Sequence, residues 1–295
     1  MTATTEPTPT LFKDIAVLFK LRLGTFVVLS AVLGWFMGSS SIGLVPFLEL
    51  TIGGYLLTGA SNGFNQIIEK EADGKMGRTA NRPLPTGRMS IQTAAVLSSA
   101  AGILGLLALF DLGVRAGLLG LLALTSYVLA YTPLKSKTGF SVLVGAIPGA
   151  IPPMLGYVAA THSFGIEPGT LFAVQFMWQF PHFWAIAWVA HEDYLKAGYR
   201  MLPFQSGRSE VSARQILIYT MLCIPASLLP WALPGNAPMV GDAAFVVAIL
   251  AGIGFLVPAY RLWRNLDVKN ARQLMFASFL YLPIVQLTYV LDKTP

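Results

Sequence analysis

Nine predominantly apolar stretches, each near the length of a bilayer-crossing helix, recur along the chain at about 23–38, 42–64, 91–110, 116–132, 141–160, 169–190, 213–233, 242–262 and 271–291. A hydrocarbon core about 30 Å thick takes roughly 20 such residues as a helix, and a backbone inside it must satisfy its own hydrogen bonds. The expected fold is therefore all-α: a polytopic membrane protein built as a bundle of nine transmembrane helices. Hydrophobic residues make up 55% of the chain and charged residues 12%, about half the charged share of a typical soluble domain. Residues 1–12, rich in Thr and Pro, read as a disordered tail, and 13–295 as a single transmembrane domain. Lys20 and Arg22 lead into a span followed by further spans, which does not read as a cleavable signal.

The cations set the orientation. With nine spans, 18 of the 20 Lys and Arg residues fall on one side, the exceptions being Arg115 and Lys293. Cytoplasmic loops collect Lys and Arg, so the N-terminus and the long loops are expected in the cytoplasm. The net charge of +6 then belongs to loops facing anionic lipid, and nucleic acid is not an expected partner. The single Cys223 lies in an apolar run and excludes an intrachain disulfide. Two long polar loops with acids, 65–90 and 191–212, follow spans 2 and 6 on the same side. Together they suit a cavity opening to the cytoplasm.

The loop over 65–87 carries three acids and four bases. Asn65, Glu69 and Asp73 stand four apart, a spacing that advances only about 40° around a helix per step. If span 2 continues as a helix past the membrane surface, all three project from one face, with Glu71 on the other side and Gly74 and Gly77 offering an exit. Stacked oxygens of this kind suit magnesium, which takes one or two carboxylates plus substrate phosphate oxygens. Lys75, Arg78 and Arg82 follow, where they would contact the phosphate oxygens left free. Acids four apart are also common on solvated helices. Depth favours the site, since Asn65 directly ends an apolar run and polar groups at the bilayer edge need a cavity or partners.

These residues carry a resemblance. Asn65-x-x-x-Glu69-x-x-x-Asp73, followed by Met76-x-Arg78-Thr79-x-x-Arg82-Pro83-Leu84, resembles the first motif of the UbiA-type membrane prenyltransferases. Within that superfamily, four further segments resemble the protohaem IX farnesyltransferases, or haem O synthases. They are Tyr131-Thr132-x-Leu134-Lys135, Gly145-x-x-x-Gly149-Ala150-x-Pro152-Pro153-x-x-Gly156-Tyr157, Trp178-Gln179-x-Pro181-His182-Phe183 and Asp193-Tyr194-x-x-Ala197-Gly198. The resemblance implies transfer of a farnesyl group from farnesyl diphosphate to the 2-vinyl group of haem B, with addition of water and release of pyrophosphate. It implies Mg2+ at Asn65, Glu69, Asp73 and Asp193, diphosphate contacts from Lys75, Arg78, Arg82 and Lys135, and a place in the bacterial inner membrane. A downstream haem A synthase, or a second copy of the chain, is the implied protein partner. Two departures bear on the metal: Glu69 replaces the usual Asp, and Asp193 is followed at a spacing of four by Ala197, so a second all-carboxylate site is not expected.

Of the histidines, His162 reads as an incidental surface residue and His191 as a headgroup-facing or substrate residue. His182 lies inside an apolar run, where a structural histidine hydrogen-bonded to a neighbouring helix is one reading; the Trp178-Gln179-x-Pro181-His182 resemblance implies instead a site role, as an axial ligand to the haem iron or a contact to its propionates. Pro148, Pro152 and Pro153 are expected to bend or unwind span 5, with Gly145, Gly149 and Gly156 allowing close helix contact. Phe64, Trp178, Phe183 and Trp184 are candidates for lining a farnesyl tunnel, with core or lipid packing as the default. The competing functions are a prenyltransferase for a quinone or chlorophyll precursor and a polytopic transporter. A transporter would carry its charges near mid-span, whereas here they gather at one edge.

Overall fold

The computed structural model describes residues 10–204, 206–232 and 238–294, and these are helical throughout apart from loops and one isolated β-bridge between Val240 and Lys293. In chain order the helices are α1 (Leu11–Leu18), α2 (Leu21–Gly38), α3 (Leu44–Ile68), α4 (Lys70–Lys75), α5 (Ile91–Asp111) and α6 (Val114–Thr125). A π-helical turn at Ser126–Tyr131 carries α6 into α7 (Thr132–Leu134). Then come α8 (Ser141–Thr161), α9 (Ile166–Val189), α10 (His191–Lys196), α11 (Glu210–Ser227), α12 (Asp242–Asn265) and α13 (Val268–Leu291). Most of the expected tail lies outside the described residues, but Leu11 and Phe12 are helical, with Thr10 capping α1 through its side chain.

The expected count of nine spans is met only in part. Seven segments are long and apolar enough to cross a membrane: α2, α3, α5, the continuous α6–α7 segment, α8, α12 and α13. The other two long helices, α9 and α11, fall short in apolar content. In α9 the cause is a set of polar side chains turned inward, for Gln175, Gln179 and His182 are all buried. It packs against α8, α11 and α13 inside the bundle.

Close contact between bare backbones sets the bundle's tightest crossings. A Cβ at Gly34 would overlap the carbonyl of Pro153, and one at Gly156 would overlap that of Ala31, so α2 and α8 touch backbone to backbone. The three prolines do not unwind α8, which runs unbroken from Ser141 to Thr161. Pro153 has no N–H for the Gly149 carbonyl four residues back. Gln175 of α9 supplies the missing donor, its Nε2 lying 2.7 Å from Gly149 O. Gln175 Oε1 in turn accepts from Gln286 Nε2 at 2.8 Å, and Gln286 Oε1 from Ser30 Oγ at 2.9 Å. This chain joins α8, α9, α13 and α2 and leaves those polar groups satisfied in the bundle interior.

The loops sort to two ends. Arg115 donates to the carbonyl of His162, and Lys293 to that of Phe36, so both exceptional cations stand at one end. At the other, Arg88 pairs with Asp14 at 3.0 Å, Lys135 with Glu69 and Arg82 with Asp73.

Candidate active site

α3 turns one stripe of residues, Leu50, Gly54, Leu57, Ser61 and Asn65, toward an internal cavity of about 420 Å³. At 1.5 Å per residue that stripe spans about 22 Å. The walls along it are largely apolar and include Phe26, Leu109, Leu155 and Phe279. At the loop end they become charged, with Lys20, Glu69, Asp73, Arg78, Arg82 and Lys135 on the wall. A cavity with one charged end and a long apolar body is shaped for an amphiphile whose head is anionic, since the four cations outnumber the two acids.

The three oxygen-bearing residues come together as the spacing predicts. α3 ends at Ile68, yet Glu69 N still bonds Asn65 O at 2.9 Å and Asp73 N bonds Glu69 O at 2.8 Å, so the helical path carries through into α4. Asn65, Glu69 and Asp73 are all buried, and Glu71 is exposed. The amide of Asn65 is oriented by its neighbours. Thr132 Oγ1 donates to Tyr127 O at 2.9 Å, so it accepts from Asn65 Nδ2 at 3.1 Å, which leaves the Asn65 side-chain oxygen free for a cation.

Each carboxylate has a cation partner. Asp73 Oδ2 lies 2.6 Å from Arg82 Nη1, and Lys135 Nζ is 3.0 Å from Glu69 Oε1 and 3.1 Å from Oε2. The ammonium thus straddles both Glu69 oxygens; Oε1 is buried and makes no hydrogen bond of its own, so a metal ion at Glu69 would have to share that oxygen with Lys135. Among the described residues no three Asp, Glu, His or Cys side chains gather closely enough to cage an ion unaided. That fits magnesium, which relies on substrate oxygens and water for much of its shell. Burial acts most strongly, against the charge of Lys135, but Glu69 together with Tyr127 and Tyr194 outweighs it and the ammonium is pushed up to about 12.

The remaining expected residues divide. Arg78 lines the cavity and bonds Tyr194 Oη at 3.0 Å, its guanidinium lying over the Tyr194 ring at 4.9 Å. Lys75 is exposed and Asp193 stands outside the cavity wall. Lys196, with the backbone N–H groups of Arg78 and Gly77, holds the Asp193 carboxyl below the usual carboxylate range. His182 lies on the wall, its Nδ1 2.7 Å from Ser278 Oγ and its ring stacked on Trp178. Trp178 and Phe183 also line the cavity, while Trp184 packs in the core, and neither Trp184 nor Phe64 reaches the wall. Gly145, Gly149, Pro148 and Pro152 combine packing with a place on the wall.

Two groups of site residues escaped the sequence reading. Lys20 looked like one more cytoplasmic cation, but it is half-buried on the cavity wall. It holds the turn from α1 to α2 with φ 48° and ψ 54°, a conformation rare for a residue with a side chain. Burial, reinforced by Arg82 and Lys135, pulls its ammonium down to about 7. The second group is Tyr127, Tyr131, Tyr194 and Tyr199, which surround the charged end; Tyr131 and Tyr194 stand in the motifs quoted above but carry no role there. Tyr127 and Tyr131 reach it through the π-helical turn, a feature often found at functional sites. The available signal for Lys20 was its position as a cation flanked by Phe19 and Leu21.

The model of the UbiA prenyltransferase family matches residues 25–282. The chain belongs to the UbiA prenyltransferase family. A protoheme IX farnesyltransferase of Christiangramia forsetii is 46% identical over 288 residues, covering 98% of this chain and 96% of the relative. The UbiA fold is seen in solved structures as well. A structure of digeranylgeranylglyceryl phosphate synthase matches with a TM-score of 0.77 at 18% identity, over 95% of this chain and 98% of that one. A UbiA homologue from Archaeoglobus fulgidus bound to GPP and Mg2+ matches with a TM-score of 0.70 at 15% identity, over 94% and 99%. The all-helical architecture and the integral membrane character follow from family and fold together.

Proposed function

We propose that this protein transfers the farnesyl group of farnesyl diphosphate to the 2-vinyl group of haem B, with addition of water and release of pyrophosphate. The observation that carries the reading is one continuous cavity, cationic at the loop end and apolar along its length, with His182 on its wall. The 46% identity to a protoheme IX farnesyltransferase supports haem as the acceptor.

Cleavage of the allylic C–O bond leaves negative charge on the diphosphate, where Lys20, Arg78, Arg82 and Lys135 would receive it. Asn65, Glu69 and Asp73 would hold Mg2+, which supplies Lewis-acid charge to that leaving group. Asp193 would have to give up its Lys196 contact, 3.3 Å long, to join them. Apolar walls then shield the farnesyl carbon from water until the vinyl carbon attacks it. The new carbon–carbon bond leaves the adjacent vinyl carbon electron-poor, and water adds there with loss of a proton. The charged end is assigned to the cytoplasmic face of a bacterial inner membrane, on the strength of its cation count. A partnership with a haem A synthase rests on the family resemblance alone.

The test is haem extraction from a host lacking its own synthase. Expression of this chain should convert haem B to a farnesylated product, and persistence of haem B alone would refute the reading. Asp73→Ala should abolish the product while the protein remains in the membrane, and undiminished conversion would remove Asp73 from the metal set.

A further inference from the structure

Building on the farnesyl-to-haem reading, we propose that Ser278 locks His182 in the Nδ1–H tautomer, so that the Nε2 lone pair is offered to the iron of the haem acceptor. Ser278 is wholly buried on α13, and its hydroxyl donates to Met275 O at 2.5 Å. A serine hydroxyl has one hydrogen. With that hydrogen committed to Met275, Ser278 Oγ is an acceptor, and the 2.7 Å contact requires His182 Nδ1 to be the donor. The neutral ring then carries no hydrogen on Nε2, which makes no hydrogen bond among the described residues.

The ring is fixed on its other sides too. Trp178 stacks on it with centroids 4.4 Å apart, and the same indole donates its Nε1–H to Ser278 O at 2.8 Å. Phe279 and Phe183 meet it edge-on at 5.0 and 5.3 Å. Among the described residues no carboxylate bonds it, and His182 lines the cavity. An imidazole clamped in one tautomer by an outer partner is the arrangement that orients histidine ligands toward metals.

The tautomer decides between the two roles open to His182. A propionate contact needs an N–H at Nε2, and a lone pair there repels a carboxylate. Iron takes that lone pair directly. Ser278 is thus a positioning residue that acts through His182.

The experiment uses the full-length protein in nanodiscs. In haem-free protein labelled with nitrogen-15 histidine, His182 Nε2 should show the shift of an unprotonated nitrogen. Haem B added to the wild type should give a histidine-ligated ferric spectrum, lost in His182→Ala. Ser278→Ala should weaken haem binding about tenfold to a hundredfold, leave KM for farnesyl diphosphate unchanged, and be rescued by Ser278→Thr, which keeps the hydroxyl. A protonated Nε2 in the wild type, or a wild-type haem spectrum in His182→Ala, overturns the inference. A wild type that ligates haem through His182 yet forms no farnesylated product overturns the parent reading alone.

Discussion

Lys20 is the residue whose role is furthest from its sequence context. Its folded pKa is lowered to about 7, by burial first and then by Arg82 and Lys135, with Glu69 and Asp73 partly offsetting them. The sign follows directly: a lysine with a depressed pKa destabilises the fold below its ordinary value, and an incoming anion that restores its charge must recruit a proton. Binding of prenyl diphosphate should therefore weaken as pH rises through about 7. Lys20→Arg, which stays charged, should flatten that dependence, and Lys20→Met should raise KM at every pH. Initial rates from pH 6 to 8.5 in matched buffers check both, and a wild-type slope retained in Lys20→Arg would remove Lys20 from diphosphate binding. Asp73 and Arg82 are coupled differently. Because Asp73 is 1% exposed, Arg82→Gln should strand a buried carboxylate and cost roughly 3–5 kcal/mol, read as lost thermal stability in detergent.

At the scale of elements, α8 stays helical across three prolines, and at one of the carbonyls they orphan, that of Gly149, α9 supplies the hydrogen-bond donor from outside. Gln175→Leu should lower stability by about 1–3 kcal/mol, since it orphans the Gly149 carbonyl and the Gln286 amide. Pro153→Ala restores an N–H within bonding distance of Gly149 O, so the double variant should recover part of that loss. Chemical unfolding of the four proteins closes the cycle, and strict additivity would show that Gln175 does not serve the carbonyl. The prolines themselves were legible in the sequence, where they pointed to a bent or unwound span 5 rather than to an unbroken helix. The donor was not, because it lies 26 residues away on another helix. The π-helical turn was equally hidden, for nothing in Ser126–Tyr131 marks a change of hydrogen-bond register.

For the whole molecule, the ends of the bundle give the orientation a direct test. Cys223 is buried, so a Cys223→Ser background is silent to membrane-impermeant thiol reagents. Lys137→Cys should label only from the cytoplasmic side and Ser163→Cys only from the opposite side, in right-side-out and inverted vesicles. Labelling of both positions from one side would contradict the alternation of loops that the cation distribution implies.

Apolar runs and cation placement by themselves determined a helical membrane bundle with its charge at one edge, because both depend on transfer between water and lipid, which is local in sequence. The four-residue spacing from Asn65 to Asp73 was likewise enough to bring three oxygens onto one face, since helix geometry is local. Only tertiary structure decided the rest. Asp193 left the cavity wall, Lys20 and four tyrosines joined it, α9 turned its glutamines and His182 inward, and Ser278 came to meet His182 from 96 residues away. Such contacts arise from which helix faces pack together, and the bundle's interior sets that through backbone contact at glycines and satisfaction of buried polar groups.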